Sequence, residues 1–126
     1  MKIQFIGALA LLATSLFSCQ KDKENPTILI TSPTNHGTYE AGDHIEAKAT
    51  FSDDQGLKSF HVHIGDEEGG HYHGWDFEDE GTIEGTEYEW DGHTMVPDSL
   101  PMMLWMHFEV EDQEGKVSND KIMMHF

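Results

Sequence analysis

The sequence predicts an all-β domain, a sandwich of about seven short antiparallel strands with no disulfide. Three observations carry that expectation. Apolar and polar residues alternate with period two in run after run, Gly, Pro, Asp and Asn punctuate those runs at near-regular spacing, and no window shows apolar residues at a helical period. A single cysteine, Cys19, leaves no partner for an intrachain bridge.

Residues 1–18 stand outside the strand pattern. Met1-Lys2 gives a positive start, and residues 3–17 are apolar apart from Gln4, Thr14 and Ser15. That run falls short of the roughly 18 to 20 apolar residues a membrane span needs, so it reads as a secretory signal. Leu16-Phe17-Ser18-Cys19 resembles a bacterial lipobox, which implies cleavage before Cys19 and lipidation of its sulfur and new amino end. Residues 19–26 then form a lipidated cysteine and polar tether, with the folded domain at 27–126. The tract Lys21-Asp22-Lys23-Glu24 resembles the signal that carries lipoproteins of Bacteroidota to the outside of the outer membrane. The expectation is an outer-membrane lipid anchor with the domain facing the cell exterior, the periplasmic face being the alternative.

Charge narrows the partners. There are 24 acidic residues against seven lysines and no arginine, a formal net charge of −17. Such a domain repels nucleic acid and anionic membrane surfaces and attracts cations, so membrane contact is expected through the lipid alone.

Taken in order, residues 27–31 are β-rich and close at Ser32-Pro33, as an edge strand does. A turn-rich connector follows at 35–43. Residues 44–51 alternate, with Ile45, Ala47, Ala49 and Phe51 inward. Asp53 to Gly56 forms a tight turn, and residues 57–64 resume with Phe60, Val62 and Ile64 inward, which points Ser59, His61 and His63 outward. Residues 65–70 read as the turn of a hairpin whose return strand carries His71 and His73. Residues 74–85 read as a long loop or weak strand. Residues 87–91 alternate with Tyr88 and Trp90 inward, and Pro97 and Pro101 break the chain before the strongest strand, 102–112, which turns Leu104, Met106, Phe108 and Val110 inward. The turn from Asp112 to Gly115 repeats the form of Asp53 to Gly56. The last strand, 120–126, offers Ile122, Met124 and Phe126 to the core. Strands of this number and spacing, without helices, fit a sandwich of immunoglobulin type.

The chemistry concentrates at residues 60–74, where two His-x-His pairs flank an acidic, glycine-rich turn. On a strand, residues two apart share a face at roughly 6.5 to 7 Å, so each pair is a usable chelate for a transition metal. His61, His63, His71 and His73 are the candidate ligands. His107 joins them, because in an immunoglobulin-type sheet its strand neighbours that of His61 and His63. Zinc is the first expectation for the ion and copper the second, since Met103 and Met123 face outward beside histidines and thioether with imidazole suits copper. No organic cofactor is expected. Counted back from the Asp112 to Gly115 turn, His125 falls nearer Met103 than His107 and outside the site, and His36, His44 and His93 read as surface residues.

The acidic tracts at 66–68 and 76–80 lack the loop grammar of a calcium site and read as solvated charge. Glycoside hydrolysis needs two carboxylates across a cleft, and a domain this small promises none, so no enzyme is expected.

Cys19, the Lys/Asp tether, Ser32-Pro33, Ala41-Gly42-Asp43, Phe51-Ser52-Asp53, Gly56-Leu57-Lys58-Ser59, Gly70-His71-x-His73-Gly74, Trp75-Asp76-Phe77 and Asp112-x-x-Gly115 together resemble a Bacteroidota lipoprotein family with an immunoglobulin-like fold. The resemblance runs through nearly the whole chain after Cys19, and Gly-His-x-His-Gly is its most specific part. It implies fold and location, and no catalytic residues. The functional expectation is a non-catalytic surface module that binds a divalent transition metal through its histidines. The rival is an adhesion module that touches an extracellular protein or glycan with exposed Trp75 and Trp105.

Overall fold

The computed structural model describes residues 24–126, so the signal segment, Cys19 and most of the expected tether lie outside the described residues. Eight strands and no helix fill the described chain: β1 (Thr27–Ser32), β2 (Gly37–Thr38), β3 (His44–Ser52), β4 (Leu57–Gly65), β5 (Glu78–Thr82), β6 (Glu87–Met95), β7 (Met103–Asp112) and β8 (Val117–His125). They form two sheets, β1-β3-β6 and β2-β8-β7-β4-β5. All pairings are antiparallel except that of the two-residue β2 with β8. The fold is the expected immunoglobulin-like sandwich.

The period-two pattern decides which face each strand buries. Ile45, Ala47, Ala49 and Phe51 from β3 meet Val62 and Ile64 from β4, Leu104, Met106, Phe108 and Val110 from β7, and Ile122 and Met124 from β8, all buried between the sheets. Phe108 is fully enclosed and stands edge-on to Trp90, ring centroids 5.7 Å apart. The two acidic turns behave alike. Asp53 Oδ2 accepts from the backbone N–H of Gln55 and Gly56, and Asp112 Oδ1 accepts from those of Glu114 and Lys116. Gly56 and Gly115 supply the positive φ that closes each turn.

Three expectations change. Residues 71–73 do not return as a strand: His71 makes one bridge to Gly65, and a turn follows. The reason is Trp75, only 5% exposed, which the chain turns inward and which donates its indole N–H to Thr94 Oγ1. A continued strand would hold that ring away from the core. The place beside β4 is taken instead by β5, in the segment read as loop or weak strand. Tyr88 stays at the margin rather than inside: its ring stacks on Phe60 at 5.4 Å, yet the residue is 36% exposed. His63 keeps its expected outward direction. It points away from the sandwich core, yet a loop covers it to 9% exposure.

If the strand faces are as described, Phe108→Ala loses about 3 to 5 kcal/mol of unfolding free energy in urea titrations, as aromatic truncations in cores do. Glu109→Ala, on the exposed side of the same strand, changes it by less than about 0.5 kcal/mol. Equal losses would mean the faces are reversed.

Candidate metal centre

The site is built on the outward face of the larger sheet. Register places His63 on β4 opposite His107 on β7, and His107 opposite Lys121 on β8, so three long polar side chains stand in one row across three strands. Above them lies the 65–70 loop, seated so closely on the strand that a Cβ on Gly65 would collide with the Gly70 carbonyl oxygen. The loop is closed internally by the Asp66 carboxylate, which accepts from the N–H of Glu68 and Gly70 at 3.0 and 2.9 Å. These donors, Gly70 first, hold the Asp66 carboxyl below the usual carboxylate range. Each member of the row then donates to a loop carbonyl: His63 Nε2 to Gly69 at 2.9 Å, His107 Nε2 to Asp66 at 2.6 Å, and Lys121 Nζ to Glu67 at 2.7 Å.

Those bonds decide tautomers. A carbonyl only accepts, so Nε2 of His63 and of His107 carries the proton and the lone pair of the neutral ring sits on Nδ1. His63 Nδ1 is buried and has no hydrogen-bond partner. Other imidazoles surround the His63 ring, with centroid-to-centroid separations of 5.0 Å for His61, 4.4 Å for His71 and 5.0 Å for His107. One ring nitrogen each from His61, His63 and His71 lies within 4.8 Å of the others. Burial pushes the His63 pKa down, and the charges of His107, His71 and His61 push the same way against the Gly69 bond, so the ring is neutral near pH 7. A neutral ring with an unclaimed lone pair is a ligand in waiting.

Glu78 completes the site from β5. Its carboxylate accepts from His61 Nε2 at 2.5 Å and lies 3.7 Å from His71 Nε2. The His61 bond, then the nearby imidazoles, hold its pKa below the usual glutamate value. Glu78, His61 and Glu80 form a second, oxygen-rich group with ligand atoms within 4.8 Å of one another. A cleft of about 600 Å³ opens beside the histidines, lined in part by Glu67, Glu68, Glu109 and Asp120.

Of the five histidines singled out in the sequence, four come together. His107 flanks the cluster with its Nε2 committed to Asp66, and His73 lies exposed in the following turn without a ring contact to the others. Glu78, read as solvated charge, belongs to the site. Its signal was present: Glu78 and Glu80 alternate as the histidines do, and register sets them opposite His63 and His61 once 78–82 is a strand.

Residues 17–125 match a family described as a domain of unknown function, DUF4625. No curated protein matches the chain. Among solved structures, the fibronectin(III)-like modules of CbhA from Clostridium thermocellum are 16% identical, with a TM-score of 0.49, over 80% of this chain and 46% of that one. OgpA from Akkermansia muciniphila, solved in catalytically inactive form with an O-glycopeptide substrate, is 12% identical with a TM-score of 0.54, over 86% and 31%. The PKD domain of an M14-like peptidase from a Thermoplasmatales archaeon is 13% identical with a TM-score of 0.50, over 81% and 92%. The chain thus spans less than half the length of the first two. At such identities the likeness speaks to the fold alone.

The lowered His63 pKa makes the metal-free fold sensitive to acid. Below the ordinary histidine value of about 6.5 the unfolded chain takes up a proton at this ring that the folded protein resists, so stability falls as pH falls. Thermal melts in chelator from pH 7 to 5 should show a smaller loss for His63→Gln, whose amide still donates to Gly69, than for the parent. Parallel curves would contradict a buried neutral ring.

Proposed function

We propose that this chain, which belongs to the DUF4625 family of domains of unknown function, is a non-catalytic module that binds a divalent transition metal through His61, His63 and His71. The observation that carries this reading is the buried, unpartnered Nδ1 of His63, whose ring sits within an imidazole cluster. An orphaned polar atom in a protein interior calls for a partner, and three converging imidazole nitrogens offer a cation their lone pairs. Supporting it, Gly69 orients His63 through the far ring nitrogen, as carbonyls do behind metal-bound histidines. Glu78 brings a carboxylate to His61 and His71, either as an oxygen ligand or as the charge that balances the ion. The donor set of three nitrogens and one oxygen suits zinc, with copper second. The net charge of −17 concentrates cations around the domain.

The same proposal keeps the domain tethered through lipidated Cys19 at the outer membrane, facing the exterior, where it meets environmental metal before the cell interior does. The rival adhesion reading has lost one of its two contact residues, because Trp75 is in the core, leaving half-buried Trp105.

At pH 7.5, zinc at 100 times its dissociation constant should add about 2.7 kcal/mol of stability, read as a rise in Tm. The double variant His61→Ala with His71→Ala should lose that rise while its metal-free Tm stays near the parent's, because both rings are outside the sandwich core. A double variant that responds to zinc like the parent would place the site elsewhere.

A further inference from the structure

We propose a second metal site, selective for a soft monovalent ion such as Cu(I), formed by His36, His125, Met103 and Met123 at the other end of the same sheet face. Register sets Met103 on β7 directly opposite His125 on β8, and Trp105 directly opposite Met123. Their inward neighbours Leu104, Ile122 and Met124 are buried, so Met103, Met123 and His125 share the outward face. Directly opposed residues hold their Cβ atoms about 4.5 to 5.5 Å apart, and Met123 and His125, two apart on one strand, stand about 6.5 to 7 Å apart.

The fourth donor arrives from a separate segment and is fixed there. His36 has φ +69°, a left-handed conformation uncommon outside glycine. It is held by its own N–H donating to the Met123 carbonyl at 2.8 Å, while the Met123 N–H donates to Asn35 Oδ1 at 2.8 Å. Both backbone polar groups of Met123 are thus claimed by residues 35 and 36, which staples this connector to β8. The result is the His36 ring stacked on His125, centroids 5.7 Å apart. Backbone held in a sparsely populated region so as to place a side chain is a common mark of a functional position.

Two thioethers and two imidazoles make a donor set unlike the first. The centre at His61, His63 and His71 offers nitrogen with carboxylate oxygen, which suits zinc, whereas thioether sulfur favours Cu(I). Half-buried Trp105 stands directly opposite Met123 on this face. Met103 is 41% exposed, so an ion reaches the site from solvent.

The test uses zinc-loaded protein, so that the first centre is occupied, and Cu(I) supplied under ascorbate against a chromophoric competitor. One further equivalent should bind, and Met103→Leu with Met123→Leu should weaken Cu(I) binding at least about 10-fold while the zinc-dependent rise in Tm is unchanged. Independently, one equivalent of Ag(I), a redox-inert probe, should shift the methyl resonances of Met103 and Met123. Unchanged Cu(I) affinity in the double variant, or Ag(I) shifts at Met95 or Met102 in their place, overturns the proposal. The zinc melt reports on the first centre alone, so loss of one site is told apart from loss of the other.

Discussion

Everything distinctive about this domain depends on the clamping of the 65–70 loop to the outward face of the larger sheet. An immunoglobulin-like sheet ordinarily shows water its second face, and polar residues there are solvated. Here His63, His107 and Lys121, aligned in one row by strand register, each donate to a loop carbonyl. The loop can approach because Gly65 has no side chain to hold it off. Covering His63 turns part of a solvated face into a small polar interior, and there the usual consequences of burial follow. The His63 proton is disfavoured, its tautomer is fixed, and its second nitrogen is left without a partner.

The strands were legible because period two is a local property. Ile45 to Phe51 and Leu104 to Val110 each name their buried face without reference to anything distant. The pairing of His107 with His63 was also within reach, since strand order in this fold makes their strands neighbours. Two features were not legible. Gly70-His71-x-His73-Gly74 has strand-like alternation, yet the demand of Trp75 for the core ends the pairing after one bridge. That is a competition between a local pattern and a tertiary contact, and the larger apolar ring prevails. It brings His71 to the cluster and leaves His73 in the turn. Glu78 was hidden for a related reason: the acidic, glycine-containing β5 has poor strand propensity and is a strand because β4 offers it an edge.

The two donor groups share one sheet face but differ in chemistry. Around His63, carboxylates crowd the imidazoles and suit a borderline divalent ion. Around His125, methionines replace them and suit a softer one. Between the two lie Gly65 and Trp105, so the first centre on β4 and the second on β7 and β8 share one sheet without sharing a ligand. Fixed strands suit metal sites, because a chelate set on a ladder loses little freedom when the ion arrives.

The central claim is that three imidazoles bind one ion, and zinc K-edge X-ray absorption of protein loaded with one equivalent of zinc at pH 7.5 tests it most directly. The expected result is three imidazole nitrogens at about 2.0 to 2.1 Å, with their outer-ring scattering, and one oxygen. A single imidazole with two or more oxygens would put the ion at His61, Glu78 and Glu80 instead, and an all-oxygen shell would contradict the histidine centre altogether.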